Sequence, residues 1–184
     1  TNLAVHHISG HCGNLYINYS LTDNLDRTDM GRCEREGWYT DQLLQLISEA
    51  DEIWLSSTWK KWQLGYLEES LRNLNRDFSA RVTLFGTKKF WDGSKTFSEI
   101  MELYEEGALV PLPDSVMSTN NELRRIAAAT DVRFIDVLAL LCDDSPDCDL
   151  KSHESDSLIT VDGGHLTKSG AQRLADRLPI SLFR

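Results

Sequence analysis

The feature that most constrains this chain is an alternation of short apolar runs with longer amphipathic ones. Leu3-Ala4-Val5-His6-His7-Ile8 reads as a strand that ends at Ser9-Gly10. Residues from Thr40 to Ser48 carry Leu43, Leu44, Leu46 and Ile47 on a helical face. Glu52-Ile53-Trp54-Leu55-Ser56-Ser57 reads as a buried strand, and Trp62, Leu64, Leu67, Leu71 and Leu74 then mark a helix of several turns. Arg81-Val82-Thr83-Leu84-Phe85-Gly86 reads as a third strand and Val132 to Val137 as a fourth. Between them, helices are expected over Phe97 to Tyr104 and over Asn121 to Ala129, the latter with Asn120 as its N-cap. A last helix is expected from Lys168 to Leu178, stopped by Pro179. Strands that alternate with helices pair in parallel and are covered on both faces. The expected fold class is therefore α/β, a three-layer α/β/α arrangement around a mostly parallel sheet. Such sheets bind ligands beyond the carboxyl ends of their strands. That rule directs attention to Ser9 and Gly10, to Ser57 through Trp59, to Gly86 through Lys88, and to the turn from Asp162 to His165.

A chain of 184 residues can bury a sizeable core as one domain, and no repeat, low-complexity tract or linker divides it. No apolar run is long enough to span a bilayer and no signal peptide is seen, although a mature or excised domain would have lost either. A formal net charge of −10 repels nucleic acid and anionic lipid, so neither is an expected partner. The four cysteines, Cys12, Cys33, Cys142 and Cys148, contain no Cys-x-x-Cys pair. Cys142 and Cys148 bracket a short polar loop that suits a local disulfide, and Cys12 and Cys33 flank a turn-rich stretch that can close a second loop. Two such bonds imply an oxidising compartment; four reduced thiols in a cytosolic protein are the alternative. No His, Asp or Glu group has metal-ligand spacing and no glycine-rich phosphate loop occurs, so neither metal nor cofactor is expected.

The chemistry concentrates in Val161-Asp162-Gly163-Gly164-His165-Leu166-Thr167. An imidazole oriented by a carboxylate takes a proton from a hydroxyl and later returns it. Two glycines between Asp162 and His165 permit a sharp turn that aims both groups into one cleft. An ordinary Asp-Gly turn leading into a helix-start histidine fits the same residues. Ser9-Gly10-His11-Cys12-Gly13 can expose backbone N–H groups to a developing oxyanion, or it can be a turn that needs glycine. Ser9 lacks the Gly-x-Ser-x-Gly setting of an activated nucleophile. Trp59 can line a substrate cleft or pack the sheet edge.

Taken together, these residues resemble the SGNH (GDSL-like) hydrolases. The pattern Asp162-x-x-His165-Leu166-Thr167-x-x-Gly170-Ala171 is similar to that family's closing catalytic motif. It is especially similar to SGNH domains fused to, or working beside, membrane acyltransferases that O-acetylate bacterial polysaccharides. Ser9-Gly10-His11-Cys12 resembles that group's Ser-Gly-Cys-like block with one extra residue, and Ile53 to Ser57 with Trp59 resembles its segment of strand, small residues and Trp. The cysteine pattern matches in outline, and the likeness extends over nearly the whole chain. It implies His165 as general base and acid, Asp162 as the group that orients it, Gly10 as an oxyanion-hole donor and Trp59 as a wall of the acyl or sugar cleft. It also implies an acylated carbohydrate as substrate, a membrane acyltransferase domain in the same or a neighbouring chain as partner, and a periplasmic or extracellular location.

The family's nucleophile lies in a Gly-Asp-Ser block after its first strand, and no Gly-Asp-Ser occurs here. Leu3 to Ile8 corresponds to the family's second strand, which would face a gap in the sheet without the first. The expectation is a single SGNH-like domain, residues 1–184, whose first strand and nucleophile lie upstream of Thr1. Serine-dependent acyl transfer to a carbohydrate, or ester hydrolysis on one, is then the expected activity. A non-catalytic SGNH-like module that binds glycan or a partner is the alternative.

Overall fold

The structure, a computed structural model, describes residues 4–5, 12, 15–17, 33, 39–91, 96–152 and 157–183. Its elements in chain order are α1 (Asp41–Ser48), β1 (Glu52–Leu55), α2 (Lys61–Asp77), β2 (Arg81–Phe85), α3 (Phe97–Glu105), β3 (Val110–Pro111), α4 (Asp114–Ala129), β4 (Arg133–Ile135), α5 (Val137–Cys142), β5 (Asp147–Cys148), β6 (Lys151–Ser152), β7 (Ser157–Leu158) and α6 (Lys168–Arg177). A short 3-10 helix follows at Ile180–Phe183. The architecture is α/β with a mostly parallel sheet. Two compact units are distinguished, Thr1–Phe85 with Glu122–Ile135, and Gly86–Asn121 with Asp136–Arg184.

The first unit holds the parallel sheet, in the order β1-β2-β4, with Ile53 opposite Val82 and Leu84 opposite Phe134. Parallel neighbours need a crossover, and α2 supplies the one from β1 to β2. Its apolar stripe buries Leu67, Leu71 and Leu74 completely, beside Val82 and Leu84 of β2 and Leu123, Ile126 and Ala127 of α4. Full burial of each such leucine is worth about 1.5–3 kcal/mol. The start of α2 is capped from inside: the Lys60 N–H donates to Oε1 of the buried Gln63 at 2.9 Å. Segment 15–17 lies on the same helix, with Tyr16 N–H donating to Ser70 Oγ (2.7 Å) and Asn73 Nδ2 donating to Tyr16 O (3.2 Å). Cys12 and Cys33 are joined by a disulfide.

The second unit carries two antiparallel ribbons, β3 with β5 and β6 with β7. A second disulfide joins Cys142 to Cys148, so that β5 is tied to the end of α5. Asp143 caps α5 in the left-handed conformation (φ 54°). Two arginines one turn apart on α6 grip it. Arg173, which is buried, donates from Nη2 to Asp143 Oδ2 (3.2 Å) and from Nη1 to Lys151 O (3.0 Å). Arg177 pairs with Asp143 Oδ1 and donates to Leu140 O (2.6 Å).

Three local expectations need revision. Helix α4 begins at Asp114, just after Pro113, so Asn120 is not an N-cap but a mid-helix residue. It is tolerated there because its buried side chain finds partners: Oδ1 accepts from Thr87 N–H (3.2 Å) and Nδ2 donates to both carboxylate oxygens of the half-buried Asp136 (2.9 and 3.0 Å). The fourth strand stops at Ile135, because the Asp136 side chain accepts from Ala139 N–H (3.0 Å) and starts α5. Of the expected strand Leu3–Ile8, Ala4 and Val5 are described; both are exposed and outside regular secondary structure, and the rest lies outside the described residues.

Candidate active site

The second unit folds residues 158–167 into a closed turn whose ends are fastened before α6 begins. Thr167 N–H donates to Ile159 O at 2.9 Å, and Thr167 Oγ1 donates to Leu158 O at 2.5 Å. Thr160 and Leu166 form an antiparallel bridge across the neck. Thr167 is also the N-cap of α6, accepting from Gly170 N–H at 3.1 Å. Gly170 packs against main chain: a Cβ there would lie 2.0 Å from Ile159 O, so no larger residue lets the helix approach this closely.

Asp162 organises the outer arc. Its Oδ1 accepts from Gly164 N–H (2.9 Å) and His165 N–H (2.7 Å), an aspartate turn that folds the chain back on its own side chain. Its Oδ2 lies 2.5 Å from Nδ1 of the His165 ring. Burial pushes the Asp162 carboxyl toward higher pKa, but hydrogen bonds from the His165 ring and from the Gly164 and His165 amides outweigh it and hold the group down at about 2. An ionised carboxylate can only accept, so the proton of this bond belongs to Nδ1, and in the neutral ring the lone pair is then on Nε2. The His165 side chain is 81 % exposed, which leaves Nε2 open to an approaching hydroxyl. Among the described residues no side chain hydrogen-bonds Nε2.

The inner side of the turn rests on Phe90 and Trp91, both buried. The Phe90 N–H donates to Gly163 O at 2.8 Å. Gly163 adopts φ +74°, and a Cβ there would lie 2.4 Å from the Trp91 ring, so glycine is required on two counts. The Thr160 hydroxyl, wholly buried, donates to His165 O (2.8 Å) and accepts from Gly163 N–H (3.1 Å).

The structure thus brings Asp162 and His165 together. Gly10, and Ser9 with it, lies outside the described residues. Trp59 belongs to the apolar core of the first unit, with its indole N–H donating to Phe85 O at 3.3 Å. Thr160, Phe90 and Trp91 were not singled out from the sequence, whereas Gly170 was part of the closing motif. A threonine just ahead of an Asp-Gly turn carried a weak signal for the first, but nothing local links the Phe-Trp pair to a turn so distant in the chain. Among the described residues no group of three or more His, Cys, Asp or Glu side chains is placed to hold a metal ion. No helix among them is long and apolar enough to cross a membrane.

A family model described as "SGNH domain (fused to AT3 domains)" matches residues 2–179. Among solved structures, the periplasmic domain of the lipopolysaccharide acetyltransferase of Salmonella ser. Paratyphi A is similar, with a TM-score of 0.53 and 19 % identity. The match covers 67 % of this chain and 50 % of that one, so the chain spans about half the length of that structure. At this identity the likeness is one of fold. No curated protein sequence matches the chain.

Proposed function

The chain belongs to the family of SGNH domains fused to AT3 domains, and from that premise we propose that it carries out extracytoplasmic, serine-dependent acyl transfer on a carbohydrate. The observation that carries this reading is the 2.5 Å contact between His165 Nδ1 and the ionised Asp162, with Nε2 left open. In the proposed mechanism Nε2 takes the proton of a serine hydroxyl as its oxygen attacks the carbonyl carbon of an acetyl ester. Asp162 stabilises the imidazolium that forms. The imidazolium then protonates the departing alcohol, which leaves an acetyl-serine. Nε2 next takes a proton from the acceptor, a sugar hydroxyl or water, and returns it to the serine as the acyl group leaves. The Gly10 N–H holds the oxyanion, as the family motif implies. The serine is that of the family's Gly-Asp-Ser block, which does not occur among these 184 residues. Its partner is a membrane acyltransferase domain. The two disulfides support a periplasmic or extracellular setting.

The test uses the full-length protein, p-nitrophenyl acetate and a serine-reactive fluorophosphonate. Labelling and turnover are expected, with His165→Ala lowering turnover by about 10³–10⁶-fold. A folded full-length protein that neither labels nor turns over would overturn the enzyme reading and favour a glycan- or partner-binding module. The absence of Gly-Asp-Ser from these 184 residues already gives that second reading its support.

A further inference from the structure

Every bond that Asp162 makes within the turn runs to residues 164 and 165. Those bonds join the pair to itself but do not fix its position on the protein, and the ring stays aligned on Asp162 only while the His165 main chain is held. Asp162 and His165 are also both exposed, so no packed side chains hold them from outside. The His165 main chain is held at one end by Asp162, through its N–H, and at the other by Thr160, through its C=O. The Thr160 hydroxyl is buried, and it uses its donor on His165 and one acceptor site on Gly163 N–H. Gly163 is in turn held by Phe90 N–H and seated on the Trp91 ring.

We propose that Thr160 is a positioning residue for the His165 base, its buried hydroxyl transmitting the position of the Phe90–Trp91 seat to the imidazole through Gly163 N–H and His165 C=O. The proposal rests on the reading of His165 as the base of acyl transfer. It differs from a merely structural role in what it predicts. Replacing the hydroxyl by a methyl keeps shape and volume but cuts both bonds, so the turn keeps its fill while the ring loses its fixed aim. A general base misplaced by about 1 Å costs about 10²-fold in rate. The substrate makes no contact with a buried Thr160, so its binding is expected to stay as it was.

The experiment compares Thr160→Val and Thr160→Ser with the parent in the full-length protein. Turnover of p-nitrophenyl acetate gives kcat and KM separately. Proton and nitrogen NMR of the His165 ring reports whether Nδ1–H stays protected from exchange against Asp162. Thr160→Val is expected to lower kcat by about 10–100-fold with KM within about two-fold, and to speed exchange of Nδ1–H by a similar factor. Thr160→Ser, which restores the hydroxyl, is expected to recover both to within a few-fold. Trp91→Phe disturbs the same turn through another contact and is expected to act in the same direction, which keeps a readout if the valine variant fails to fold. Parent-like kcat and Nδ1–H exchange in Thr160→Val, or loss in Thr160→Ser equal to that in Thr160→Val, would overturn the proposal. If the parent shows no turnover but Thr160→Val still frees Nδ1–H and Thr160→Ser restores it, the positioning stands and the enzyme reading alone falls.

Discussion

Gly163→Ala is the substitution whose cost can be worked most directly from the geometry. Two penalties act at one atom. At φ +74° an alanine Cβ is strained against its own backbone by about 1–2 kcal/mol. The same Cβ would sit 2.4, 2.5 and 2.9 Å from three carbons of the Trp91 ring. Trp91 is buried and Phe90 beside it fully so, which leaves the ring no easy retreat; overpacking of this kind costs about 1–3 kcal/mol. Alanine also stiffens the unfolded chain, returning about 0.4–1 kcal/mol. The net expectation is a loss of about 1–5 kcal/mol. For a chain of this length each kcal/mol lowers the melting temperature by about 2–4 °C. Urea and thermal unfolding followed by tryptophan fluorescence and circular dichroism would read the change. A double-mutant cycle with Trp91→Ala separates the two penalties, because removal of the ring relieves the clash and leaves the backbone strain. The expected coupling is about 1–3 kcal/mol in favour of the double variant. A Gly163→Ala protein within about 0.5 kcal/mol of the parent, or a cycle that is additive, would refute the claim that the turn is seated on that ring.

Two further outcomes follow from the same structure. Closure of the 21-residue separation between Cys12 and Cys33 should contribute about 3 kcal/mol and that of the 6-residue separation between Cys142 and Cys148 about 2 kcal/mol, so paired Cys→Ser variants should rank in that order in urea. A reversed rank would reject the chain-entropy account, and the unfolded, unreduced protein should show no free thiol. The Asp162 carboxyl is held at about 2, below its ordinary 3.8, so its stabilising contribution is complete above about pH 4 and lost as pH falls through about 2. Discounted for a half-exposed group, it is on the order of 1 kcal/mol. The urea stabilities of the parent and of Asp162→Asn should therefore converge below pH 2, and a constant gap down to that pH would contradict the assignment.

What the sequence disclosed and what it hid divide along the range of the interactions involved. Asp162 and His165 were legible because the bonds that join them span three residues. Helices α1, α2, α3 and α6 were legible because leucines at helical spacing, a threonine cap and Pro179 act within a turn or two. Asn120 was misread because asparagine before a helical stretch looks like a cap; only Thr87 and Asp136, brought in by the fold, make it a core residue. The six-residue α5 was hidden in an apolar run, Val137 to Cys142, that is too short to show a period and continues the strand before it. The seat of the candidate site was illegible for the same reason: no pattern in the sequence indicates that Trp91 will lie under Gly163 or that the Thr160 hydroxyl will turn inward.

The closed neck at residues 158–167 has a consequence for how such chains diverge. With Thr167 fastened to Leu158 and Ile159, and Gly170 pressed on the Ile159 carbonyl, the turn inherits little of its internal shape from the strands and helices around it. It behaves as a prefabricated cassette. Loops that do not touch it can lengthen or shrink without moving the carboxylate–imidazole couple, so long as the Phe90–Trp91 seat is kept.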